Sequence, residues 1–221
     1  NNSAKIFACV RNNDTQFKDY CKKLSEKNNS EIYPVTLDLG SSETIDEAAK
    51  SILKSSDKID ILINNAGIIQ NSLFQMTKGS DLKKIFEINF FSVTNFTQKI
   101  IKGMVKNKKG SIVYISSTSG IDNNLGRNAY SSTKAAIISQ SQTLSRELGR
   151  YNIRVNTLAP GLTDTDMMNN NTPKNLLENV VSNLSLKRIA STEEIANSVL
   201  FLSSDLSSYI TGQTIRVDGG M

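Results

Sequence analysis

Ile61-Leu62-Ile63-Asn64-Asn65-Ala66-Gly67 starts as a short apolar run, mostly β-branched, and ends in small polar residues. Such a run suits a strand buried on both faces, and the residues after it suit a tight turn at the strand's carboxyl end. Five further runs share this character: Ile6–Val10, Ile32–Leu37, Ser111–Ile115, Ile153–Leu158 and Thr214–Val217. Longer segments with apolar residues three or four apart separate most of them, at Thr15–Glu26, Glu43–Leu53, Leu82–Val105, Tyr130–Gly149 and Thr192–Leu202. Strands alternating with helices predict an α/β fold with a doubly wound parallel sheet, helices on both faces and right-handed crossovers. Ser191-Thr192-Glu193-Glu194 reads as a capping box opening the last helix. No repeat or linker interrupts the pattern, and 221 residues suit a single domain over 1–221. The irregular stretch Leu162–Ser191 is expected to form a mobile lid.

Composition narrows the chemistry. The chain has no histidine, which excludes Ser-His-Asp and Cys-His catalysis and His-ligated metal sites. Proton transfer near neutral pH falls to Tyr, Lys, Cys or a carboxylate. The two cysteines, Cys9 and Cys21, have no metal-ligand spacing and suit a reducing compartment. No run reaches the roughly 18 apolar residues of a membrane span, and no secretory signal is visible. The expectation is a cytoplasmic protein, or an organellar one if a targeting peptide precedes Asn1. The net charge of +5 is scattered, without an aromatic-rich basic stripe, so a nucleic-acid partner is not expected. That charge is either solvated surface or an attraction for an anionic cofactor or an acidic partner.

In open parallel sheets, ligands bind beyond the carboxyl ends of the strands. Arg11, Asp38, Asn64 to Gly67, Ser116-Ser117 and Pro160-Gly161 occupy those ends. Tyr130 and Lys134 stand at i and i+4, on one face of a helix. A nearby ammonium stabilises phenolate, so the pair could move protons in a chain without histidine. By itself, Tyr-x-x-x-Lys also decorates surface helices. Ser117, 13 residues earlier, and Asn89 in the preceding helix give the pair its context.

Taken together, these motifs resemble the short-chain dehydrogenase/reductase superfamily over Ile6 to Met221. They are Asp38-Leu39, Asn64-Asn65-Ala66-Gly67, Asn89, Ser117, Tyr130 with Lys134, Pro160-Gly161 with Thr165, and Asp218-Gly219-Gly220. Ile59 to Ile68, Ala159 to Gly161, Asp164 to Met167 and Tyr209 to Thr214 are similar to the 3-oxoacyl-[acyl-carrier-protein] reductase branch. Other ketone and sugar-linked reductases share these stretches. The resemblance implies a Rossmann-like fold, an NAD(P) cofactor and reduction of a carbonyl, here of a 3-oxoacyl group in fatty-acid synthesis.

It also implies roles. Tyr130 donates a proton to the carbonyl oxygen, and Ser117 holds that oxygen. Lys134 lowers the Tyr130 pKa and binds the nicotinamide ribose. Asn89 anchors a water linking Lys134 to bulk. Asp38 and Leu39 meet the adenine, Asn65, Ala66 and Gly67 its ribose, and Pro160, Gly161, Thr163 and Thr165 the nicotinamide amide. Ser117 could instead be a strand-end cap, Asn89 a helix-bending amide and Gly67 a simple turn. Relatives that prefer NAD carry a carboxylate where Val10 stands, and Arg11 follows it, so the expected cofactor is NADP(H). Apolar positions Phe90, Phe91, Ala135, Ile138, Leu144 and Leu148 suggest a homotetramer paired through two long helices, or else lie within one domain's core. The expected partner is acyl carrier protein or a small ketone.

One departure is large. The family opens with a strand and a glycine-rich turn, yet the first glycine here is Gly40. The expectation is that the natural protein carries this unit, since its strand would be central and its neighbours would otherwise face an empty slot. A chain without it would be a non-catalytic relative.

Overall fold

A computed structural model describes residues 4–171 and 174–221. Six strands form in chain order: β1 (Lys5–Val10), β2 (Glu31–Thr36), β3 (Ile61–Asn64), β4 (Gly110–Ile115), β5 (Ile153–Pro160) and β6 (Thr214–Val217). All pairings are parallel, and helices cross over between the strands, as the alternation of patterns requires. The principal helices are α1 (Thr15–Asn28), α2 (Ser42–Ser55), α3 (Gly79–Phe86), α4 (Val93–Asn107), α5 (Ser119–Asp122), α6 (Asn128–Leu148), α7 (Asp166–Asn171), α8 (Lys174–Asn183) and α9 (Thr192–Ser203). Ser191 and Glu194 form the expected capping box on α9.

The sheet is divided. β1 pairs only with β2, while β3-β4-β5-β6 form a second, four-stranded sheet. Between β1 and β3 lies a cavity of about 1110 Å³. Ile6, Ile61 and Ile63 face it and remain 43–47% exposed, an unusual state for β-branched strand residues. The two sheets are joined by packing rather than hydrogen bonds. Ile45, Ala48, Ala49 and Ile52 of α2 share one core with Phe96 and Ile100 of α4 and with Leu62 of β3.

The segment expected as one helix over Leu82–Val105 is interrupted. A π-helical turn, Glu87–Ser92, separates α3 from α4. Its extra residue turns Asn89 inward, where it is buried. On the same face of the sheet, beside α4, α6 buries Tyr130, Lys134, Ile137, Ser141, Ser145 and Leu148, a stripe at helical spacing. Leu148 is therefore core rather than interface, and Leu144 and Phe90 pack against the same core, while Phe91 is exposed.

The expected lid contains α7 and α8. Its base is closed by Ala190 N donating to Leu162 O (2.9 Å) and Asp164 N to Ala190 O (2.9 Å). Thr172 and Pro173 of that stretch lie outside the described residues.

Candidate active site

The carboxyl ends of β3, β4 and β5 converge on a pocket of about 480 Å³. Ser117 comes from the turn after β4. Its Oγ accepts from Ser119 N (3.1 Å). Tyr130 and Lys134 project from α6 into the same pocket, and both are buried. α6 can come this close because α5 meets it at a glycine. A Cβ on Gly120 would stand 2.8 Å from the Lys134 carbonyl carbon and 2.9 Å from Ala135 N.

Lys134 Nζ donates to Ile115 O (2.8 Å) and lies 5.6 Å from the centre of the Tyr130 ring. No carboxylate pairs with it among the described residues. Removal from water lowers its pKa to about 8. Burial raises the Tyr130 pKa, and the Ser117 hydroxyl and the Arg127 guanidinium pull it back down. The sequence reading gave that pull to Lys134. In this geometry it comes from Ser117 and Arg127.

Asn89 is beside the pocket rather than in its wall. Its Oδ1 accepts from Ile68 N (2.8 Å), and its Nδ2 donates to Ile68 O (2.9 Å) and Thr133 Oγ1 (3.2 Å). Both amide protons are thus committed to holding the loop after β3 against α6. Gly67 fills the gap between them, since a Cβ there would lie 3.2 Å from Asn89 Oδ1 and 3.6 Å from Lys134 Nζ.

Asn65, Ala66, Gly67, Pro160, Gly161, Thr163 and Thr165 all line the pocket. Gly161 has no room for a side chain, because a Cβ would meet Asp218 Cα at 2.8 Å. Asp218 in turn accepts from Arg216 Nε (2.7 Å), and Arg216 forks onto both carboxylate oxygens of Asp122 (2.8 Å each). This arginine ties the end of β6 to the end of α5, the short helix that follows Ser117. Sequence reading missed it, because nothing local marks two acids 96 residues apart as partners of one guanidinium.

Three expected cofactor residues stay outside this pocket. Arg11 is exposed at the end of β1, Asp38 Oδ1 accepts from Gly40 N (2.8 Å) in the turn before α2, and Leu39 is buried in the main core. The slot between the sheets opens into the pocket, and the two share Asn65, Ile115, Thr163, Thr165 and Ile195. Among the described residues no cluster of His, Cys, Asp or Glu could hold a metal, and no helix is long and apolar enough to cross a membrane.

A family model described as enoyl-(acyl carrier protein) reductase matches residues 1–221. The 3-oxoacyl-[acyl-carrier-protein] reductase of Thermotoga maritima is 38% identical over 190 residues, covering 86% of this chain and 77% of the relative. The enzymes of that name from Chlamydia muridarum and Aquifex aeolicus are 37% and 38% identical, covering 95% and 92% of this chain and 84% and 82% of theirs. The chain belongs to the short-chain dehydrogenase/reductase family. A short-chain dehydrogenase/reductase uses a nicotinamide cofactor, and this pocket suits its reactive half. The Pro160-Gly161 turn lines it, and the buried ammonium of Lys134 has no anionic partner among the described residues.

Proposed function

We propose that this reductase uses NADPH to convert a 3-oxoacyl-[acyl-carrier-protein] into its 3-hydroxyacyl form in fatty-acid synthesis. The observation that carries the reading is the convergence of Ser117, Tyr130 and Lys134 on one pocket bordered by Gly67 and Gly161. Ser117 and Tyr130 present two hydroxyls to that pocket, which suits a carbonyl oxygen. A bound nicotinamide cofactor would supply the hydride for the carbonyl carbon, and Tyr130 gives its proton to the oxygen. Ser117 donates to that oxygen throughout. Lys134 holds the nicotinamide ribose and passes a proton toward Tyr130. Asn89 fixes the loop that borders Lys134.

Asn65, Ala66 and Gly67 border the adenine ribose in this reading, with Asp38 and Leu39 nearer the base. Pro160, Gly161, Thr163 and Thr165 orient the nicotinamide amide. Arg11 meets the 2′-phosphate. The slot suits one apolar parallel strand followed by a glycine-rich turn, which would deliver backbone N–H groups to the pyrophosphate. Parallel insertion beside β3 brings the end of such a strand to the pocket. The exposed Phe91 and the net charge of +5 fit a homotetramer that meets an acidic carrier protein, in a cytoplasmic setting.

The test is NADPH oxidation with acetoacetyl-acyl carrier protein, alongside Tyr130→Phe. The substitution should abolish turnover and leave NADPH affinity, measured by fluorescence titration, within a few-fold of the parent. Substantial turnover in Tyr130→Phe would remove the tyrosine from its role.

A further inference from the structure

Arg127 stands immediately before α6, one helical turn ahead of Tyr130. Its backbone is fixed from three sides. Ser72 N donates to Gly126 O (2.8 Å), Arg127 N donates to Asn124 O (3.2 Å), and Arg127 O accepts from Ser131 N (2.7 Å). Its side chain is half-buried and lines the same pocket as Ser117, Tyr130 and Lys134. Arg154, Arg188 and Arg216 each donate to named acceptors. The Arg127 guanidinium has no acceptor among the described residues. Asp166, a carboxylate of the same pocket wall, does not pair with it.

A guanidinium carries five fixed donors, and holding it partly out of water without an acceptor is unfavourable. Arg127 and Tyr130 line one pocket, and the guanidinium is near enough to the phenol to favour its ionised form. With the reacting carbonyl oxygen at Tyr130 and Ser117, the guanidinium meets the next acceptor along the substrate. In a 3-oxoacyl thioester that acceptor is the C1 carbonyl oxygen, two carbons from the reacting C3.

We propose that Arg127 is a specificity-determining residue that binds the thioester carbonyl oxygen and so selects 1,3-dicarbonyl substrates over simple ketones. This rests on the reductase reading above. It differs from a charge at the site entrance guiding an acidic partner, because the side chain is in the pocket wall. A guiding charge acts on encounter and fades with salt, whereas a contact in the pocket acts on the bound substrate.

The experiment compares two neutral substrates in the holoenzyme with NADPH. One is the acetoacetyl thioester of N-acetylcysteamine. The other is its thioether analogue, in which the C1 carbonyl is a methylene and the ketone is retained. Neither carries charge, so steering drops out. Any effect of Arg127 on the Tyr130 proton is common to both and cancels in the ratio of their kcat/KM values. Arg127→Met should lower the thioester-to-thioether ratio by roughly 10- to 100-fold, the range of a charge-assisted hydrogen bond, at both low and high salt. Arg127→Lys, which keeps the charge and loses the fork, should give an intermediate ratio and serves if the methionine variant folds poorly. A ratio changed by less than three-fold in both variants overturns the assignment and leaves the reductase reading standing. A parent enzyme that reduces neither compound overturns both.

Discussion

Lys134 carries a charge into a place where no described carboxylate meets it, with only the Ile115 carbonyl as acceptor. Its pKa in the folded protein is about 8, against 10.5 for an ordinary lysine. Between those values the unfolded chain binds more protons than the folded one, so this residue makes stability rise with pH across that window. Below it, the buried charge is fully destabilising. Lys134→Met should therefore stabilise the protein at pH 7 by about 1–3 kcal/mol while removing activity. The advantage should shrink as pH climbs from 8 to 10.5. Urea titrations of both proteins at pH 7 and pH 10 check this, and a less stable variant at pH 7 would refute it. Cofactor choice is a second matter for single side chains. On the proposed role of Arg11, Arg11→Ala combined with Val10→Asp should move preference toward NADH by roughly 10- to 100-fold, the range of one charge-assisted contact. Initial rates with each cofactor read the ratio.

At the scale of elements, α5 and α6 approach too closely for any side chain but hydrogen at position 120. Gly120→Ala would press a methyl into the α6 backbone at Lys134 and Ala135. Overpacking of this kind costs about 1–3 kcal/mol, and here it would also displace the turn bearing Ser117. The expected result is a lower Tm together with a fall in kcat larger than the change in NADPH affinity. Most elements were legible in the sequence. Ile61–Asn64 and Thr214–Val217 match the observed strands end to end, and the other runs differ only at their termini, because apolar alternation is a local signal. The π-helical turn was not legible, since one additional residue leaves the three-to-four spacing of Leu82–Val105 almost undisturbed. Arg127, three residues before Tyr130, was legible as a charge flanking the site, but its seat in the pocket wall depends on a bridge to Ser72, 55 residues away, which no local pattern encodes. The candidate site residues were legible because a helix fixes the geometry of Tyr130 and Lys134, and the strand end fixes Ser117.

The whole molecule consists of two hydrogen-bonded sheets sharing one apolar core. β1 has a single neighbour, β2, which carries Pro34 in its middle, whereas β4 and β5 are paired on both sides. No ladder couples β1 to β3, so opening the first sheet breaks no hydrogen bond in the second. The molecule should accordingly exchange its amide hydrogens in two tiers. Amides of β1 and β2 should exchange through a partial opening of low free energy, and those of β4 and β5 only through global unfolding. In mild denaturant the second tier should slow in step with global stability, and the first should respond weakly. A strand seated between β1 and β3 would merge the tiers into one cooperative unit. The slot thus makes occupancy of the sheet's centre readable as protection of strands that the occupant need not touch.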